Sequence, residues 1–177
     1  GKIMLIMLAF ALTLAAINGS LKNMTITALN NRPEINSDHK LNHLYLQFGK
    51  LLVLLGKKQL SEVNINFINQ SVERINISSS TGNDFKKLIK QEQTSLLKQI
   101  EKTQKIVPIN YYRNLWMLLG LTAFGLPIGT AFGLAIGNIG LMGVGLPIGM
   151  AIGAVVGTTM DKKALNEGRQ LNIEIKH

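Results

Sequence analysis

No Asp, Glu, Lys or Arg stands between Arg113 and Asp161, and that uncharged run repeats itself. Gly125-Leu-Pro-Ile-Gly129-Thr-Ala-Phe-Gly133 returns 20 residues later as Gly145-Leu-Pro-Ile-Gly149-Met-Ala-Ile-Gly153, and each copy continues to a fourth glycine, Gly137 or Gly157. Glycine at every fourth position is a poor choice for a helix in water. In lipid the backbone has no partner but itself, so an apolar segment stays helical despite its glycines. The glycines then clear side chains from one face, and a second helix can approach backbone to backbone. A single Gly-x-x-x-Gly would carry little weight. Two registered sets with Leu-Pro-Ile in common predict a packed pair of membrane helices.

The two segments, Leu115–Ile136 and Ile139–Thr159, are each long enough to cross a bilayer. At ~1.5 Å per residue either one measures ~30 Å, about the hydrocarbon thickness. The link Gly137-Asn138-Ile139-Gly140 has room only for an antiparallel turn. Gly125, Gly129, Gly133 and Gly137 are therefore read as one packing groove, and Gly145, Gly149, Gly153 and Gly157 as its twin. One groove can close the hairpin while the other holds a second copy. Pro127 and Pro147 stand at equivalent places and should kink or loosen both helices, since each removes a backbone donor. Tyr111, Tyr112, Arg113 and Trp116 before the first span, and Lys162 and Lys163 after the second, fit the membrane interface.

This region resembles the glycine-zipper double-span segment of small bacterial membrane proteins, and Met160-Asp-Lys-Lys-Ala-Leu-Asn-Glu-Gly-Arg-Gln170 is similar to the tails of that loose group. The likeness covers residues 111–177. It implies helix packing in a bacterial envelope, at the inner membrane, and implies no activity, because members of the group are largely without known function. Leu-Pro-Ile inside each zipper is not shared by all its branches.

The remainder is different in kind. Residues 18–112 hold thirteen Lys/Arg against seven Asp/Glu, so most of the net charge of +9 lies there. Next to a membrane, such an excess suits anionic headgroups. No zinc finger, RNA-binding motif or arginine cluster points to specific nucleic-acid binding. Ser37-Asp38 offers a helix cap, and Leu41, Leu44, Tyr45, Phe48, Leu51, Leu52 and Leu55 follow at the spacing of one helical face. Leu60, Val63, Phe67, Ile68, Val72 and Ile75 give a weaker pattern that leaves helix and strand both open. Leu88, Ile89, Leu96, Ile100 and Val107 form a third stripe, interrupted by Glu92, Gln93 and Thr103. A helical hairpin or three-helix bundle is the economical reading, with Pro108 marking its end.

Residues Ile3–Ala16 are an apolar run behind Lys2, of the size of a signal-peptide core and short for a span. The domains expected are thus 1–19 signal peptide or N-terminal anchor, 20–37 loop, 38–110 basic helical domain, 111–160 glycine-zipper hairpin and 161–177 polar tail. The fold class is all-α, a C-terminal antiparallel transmembrane hairpin preceded by a small amphipathic helical domain. Translocation behind a signal and the positive-inside tendency place residues 38–110 on opposite sides of the membrane; the charge argument favours the cytoplasm.

Catalytic chemistry finds no footing. His39 and His43 are four apart but lack further ligands, cysteine is absent, and Gly49 to Gly56-Lys57-Lys58 has the wrong spacing for a phosphate loop. The expectation is a non-catalytic protein without cofactor or metal. Its partners would be the lipid bilayer, other copies through the glycine grooves and a protein bound by 38–107, with no specific nucleic acid. The alternative is an oligomeric pore or membrane-perturbing protein built from the hairpins. Against it, the spans contain few polar groups, with Thr122, Thr130 and Asn138 the conspicuous ones before Thr158 and Thr159.

Overall fold

The computed structural model describes residues 25–176 together with Met4, Met7 and Thr13. The signal-or-anchor expectation for 1–19 lies almost wholly outside the described residues. The chain is mostly helical and divides into two compact units, one ending at Gln104 and the other running from Lys105 to Lys176. This boundary falls a few residues before the one expected at 110.

The first unit contains α1 (His39–Gly56), α2 (Glu62–Ile77) and α3 (Gly82–Gln104). Asp38 starts α1 by accepting from the Lys40 and Leu41 amides at 3.1 Å each, which satisfies two of the donors that a helix leaves free at its beginning. The apolar face of α1 is buried as spaced, with Phe48, Leu51 and Leu55 fully enclosed. The ambiguous second pattern is helical. Its buried face is Ile65, Ile68, Val72 and Ile75, while Val63 points to solvent. The third stripe is carried by Phe85, Ile89, Leu96 and Ile100.

Two interruptions of that third stripe, Glu92 and Gln93, are buried polar side chains, and the third, Thr103, is exposed. Glu92 accepts two bonds of 2.8 Å from Arg74. This pairing keeps the Arg74 guanidinium charged more firmly than usual, with burial opposing it. Gln93 accepts from Gln47, and Asn64 bonds both Thr103 and Gln104. Glu92, Gln93 and Asn64 each bond a residue of a facing helix, which offsets their burial, while Gln93 Nε2 has no partner among the described residues.

Residues 25–32, expected as loop, are irregular but tied down. Asn69 accepts from Thr27 N–H and donates to Thr25 C=O; Asn76 does the same for Asn30 and Ala28. The two asparagines are two helical turns apart, ~10.5 Å, which three extended residues also span. Arg32 donates to the carbonyls of Ile75, Asn76 and Ser78, closing the end of α2, and stacks over Phe85 at 4.5 Å. Tyr45 donates to Asn30 C=O, and burial raises its phenol above the usual range.

Asp38 also pairs with Lys86 at 2.7 Å. That bond, followed by the one from Leu41 N–H, holds its carboxyl below the usual aspartate range. A depressed folded value adds stability above the unfolded pKa, and the contribution disappears as pH falls through the folded one. Asp38→Asn should therefore lie below the native chain by a constant margin above about pH 5, and the margin should close as pH falls below about 4. Urea titrations at stepped pH check this; a margin that does not change with pH overturns it.

The second unit is not wholly helical. Strand β1 (Val107–Ile109) lies parallel to β2 (Gln170–Glu174), so the 161–177 segment is no loose tail. Between the strands come α4 (Tyr111–Gly120), a π-helical turn (Leu121–Gly125), α5 (Leu126–Ile136), a 3-10 stretch (Ile139–Val144) and α6 (Gly145–Asn166). Two helices here, Tyr111–Ile136 and Met142–Asn166, are long and apolar enough to cross a membrane, and only 22% of each apolar window is buried. A core helix of a water-soluble domain would be mostly enclosed. These leave Leu118, Leu126, Phe132 and Val155 facing outward.

Candidate functional site

The feature that organises the second unit is a row of backbone-to-backbone approaches. A methyl group built on Gly145, Gly149, Gly153 or Gly157 would stand less than 3.0 Å from main-chain atoms of the other long helix. The neighbours run in order: Gly157 against Tyr112 and Arg113, Gly153 against Trp116 and Met117, Gly149 against Gly120 and Gly125, Gly145 against Gly125 and Gly129. Backbone cannot move aside as a flexible side chain can, so every one of these positions admits glycine alone.

On the facing helix the row is Gly120, Gly125, Gly129 and Gly133. Gly129 meets the Met142 backbone, and Gly133 meets the Met142 side chain. Gly120 stands five residues before Gly125, outside the four-residue repeat. The π-helical turn brings it into line, because Leu126 N–H donates to Leu121 C=O five residues back. Pro127 explains the turn: it has no N–H, and its ring crowds the preceding carbonyls, so the ladder widens just ahead of it. Its counterpart Pro147 sits in the first turn of α6, where no intrahelical donor is needed. The two prolines thus have unlike consequences despite identical sequence surroundings.

Gly137 is not in the groove. It has φ 69, and a methyl there would meet nothing within 4 Å. The Asn138 amide bonds Gly133 C=O at 2.9 Å and the Gly137 amide bonds Leu134 C=O at 3.2 Å, which makes Gly137 the left-handed closing residue of α5. It keeps the four-residue spacing because the helix ends one turn after Gly133.

At the other end of the pair lies a polar base. Asp161 is buried, and its carboxylate accepts from Tyr112 N–H at 3.0 Å and Arg113 N–H at 2.9 Å. It supplies from α6 the cap that Asn110 does not give α4 with its own side chain. A carboxylate at a helix N-terminus also meets the positive end of the helix dipole. Asp161 follows Gly157 by four, so it prolongs the glycine row by one turn, and that spacing is the signal the sequence carries for it. Around it Val107, Tyr112 and Ala164 form a small core with Tyr111, Trp116 and Met160 packed on its edge. Tyr112 is consequently buried rather than turned to headgroups, and it meets Tyr111 edge-on at 5.4 Å.

The strands finish the base. Gly168, with φ 69, closes α6 through bonds from Gly168 N–H to Leu165 C=O and from Arg169 N–H to Ala164 C=O. Arg169 then bonds Glu167 and the Lys105 carbonyl, and Asn110 donates to Glu174 at 2.8 Å. Arg113 Nε is buried and has no hydrogen-bond partner among the described residues. Lys162 and Lys163 are exposed, the latter 4.0 Å from Glu167.

Three hydroxyls of the spans bond carbonyls of their own helices. Thr122 bonds Leu119 C=O, Thr130 bonds Pro127 C=O and Thr159 bonds Val155 C=O. His39 and His43 lie exposed in the first unit, and among the described residues no group of three acidic, histidine or cysteine side chains is placed to hold a metal. A cleft of about 630 Å³ in that unit runs between residues 25–29 and α1, lined mainly by apolar groups such as Ile26, Leu29 and Leu52. Comparison with family models, characterised proteins and solved structures finds no match to this chain.

Proposed function

We propose that this chain is a non-catalytic, membrane-anchored helical module. Residues 111–166 form an antiparallel transmembrane hairpin closed by its glycines, and the basic domain of α1–α3 is held beside the bilayer for association with a protein partner. The observation that carries the reading is the row of main-chain approaches from Gly157 to Gly145, set in two helices whose outer faces remain apolar and open. Close approach through small residues is how helices gain contact in lipid, where no hydrophobic force drives them together. An envelope membrane of a bacterium, as the resemblance of 111–177 suggests, is the setting that fits.

Both glycine rows are filled by the same chain, so recruitment of a second copy would have to use another face. A pore made from those rows would need them free, and the hydroxyls of Thr122, Thr130 and Thr159 are bonded within their helices. Leu46 and Val53, exposed and seven residues apart on α1, are the apolar surface best suited to a protein contact.

The charges of the second unit lie before Asn114 and after Met160, and the link between the helices has none. The positive-inside tendency therefore puts the base, and the domain joined to it at Lys105, in the cytoplasm. The test is extraction of native membranes at alkaline pH. The full chain should stay with the lipid; release into the supernatant as a folded protein would refute the anchor.

A further inference from the structure

Resting on the hairpin reading, we infer that the tip between α5 and α6 ends inside the hydrocarbon of the distal leaflet and presents no protein to the far aqueous side. Its ligand is lipid acyl chain. The tip is apolar on its outer surface, with Leu134 exposed by 79%, Ile139 by 75% and Ile136 by 61%. No charged residue and no Trp or Tyr occurs from Met117 to Met160, so the tip lacks the aromatic belt that Tyr111 and Trp116 give the base.

The tip bonds part of its own backbone. Gly137 N–H and Asn138 N–H bond the last carbonyls of α5, and Gly140 N–H bonds the Asn138 side chain at 3.0 Å. The following residues form 3-10 bonds. Each of these bonds lowers the cost of placing the turn in lipid, where an unsatisfied amide costs several kcal/mol. Length agrees: from Trp116 in the aromatic base to Ile136 at the tip the first long helix rises about 30 Å, no more than the hydrocarbon thickness.

The chain has no cysteine, so single cysteines can be introduced without other change. Ile139→Cys, Val155→Cys and Leu165→Cys, each at an exposed position, place a probe at the tip, in mid-span and at the base. The full chain is reconstituted in vesicles of phosphatidylcholine and phosphatidylglycerol, floated, and treated with a membrane-impermeant maleimide with and without opening of the vesicles. The expected result is flotation, reaction at Leu165→Cys, and no reaction at Ile139→Cys or Val155→Cys from either side. An environment-sensitive fluorophore attached in detergent before reconstitution should emit from Ile139→Cys as far to the blue as from Val155→Cys. Flotation with reaction at Ile139→Cys overturns the immersed tip and leaves the hairpin standing. Failure to float overturns the hairpin itself. Asn138→Asp is the second test, since a carboxylate still accepts from Gly140 N–H but brings a charge. A large loss of reconstituted protein is expected; full yield would place the tip in water.

Discussion

Gly149→Leu should pull the two long helices of the second unit apart. Its first side-chain carbon would lie inside 3.0 Å of the Gly120 carbonyl oxygen and the Gly125 main chain, atoms held by their own helical bonds. Relief requires separating the helices along the row, which forfeits the dispersion contacts of neighbouring glycines as well. We expect a loss of about 3 kcal/mol or more, at the upper end of overpacking effects. Gly143→Ala is the control, for a methyl there meets nothing within 4 Å. The chain has one tryptophan, and Trp116 lies against Gly153, so its fluorescence reports on this pair alone. In a dodecylmaltoside-to-dodecylsulfate titration, the Trp116 transition should move to much lower dodecylsulfate in Gly149→Leu and stay in place in Gly143→Ala. Equal midpoints for both variants would show that the row is not what holds the pair.

The base should be nearly as sensitive. In Asp161→Ala the Tyr112 and Arg113 amides lose a charged acceptor at the start of α4, inside a small core that admits little water. Two charge-assisted bonds and the helix-dipole interaction together suggest about 2–4 kcal/mol. Asp161→Asn keeps one carbonyl oxygen as acceptor and should retain part of that stability. Amide exchange of Tyr112 and Arg113 distinguishes a cap from general loosening: both should exchange faster in Asp161→Ala while amides near Gly129 are less affected. Unchanged protection at Tyr112 and Arg113 would remove Asp161 from this role. Ala at 161 favours the helix by propensity, so a destabilised variant cannot be ascribed to α6 itself.

Much of this arrangement could be read from residue spacing. The stripe of Leu41 to Leu55 yields α1 because burial follows the period of the helix, and Asp38 marks its start because a free amide pair needs an acceptor. The uncharged repeat gives two helices of spanning length for the same kind of reason. Spacing misled at Val63, which keeps an approximate helical step but falls on the solvent side, and at Glu92 and Gln93, which resemble breaks in a stripe and are buried with partners on other helices.

The sequence by itself determined two uncharged segments long enough and apolar enough to cross a membrane as helices, with glycines spaced so that one face is bare of side chains. Tertiary structure alone decided which glycines meet. Gly120 joins the row only because a π-helical turn ahead of Pro127 shifts the register by one residue, and Gly137 leaves it because the helix closes there with positive φ. It alone decided that Asp161 caps a helix through the Tyr112 amide, 49 residues earlier, and that Val107 to Ile109 pair with a strand in the polar C-terminal segment. Those outcomes depend on contacts between distant parts of the chain, and local periodicity contains no term for them.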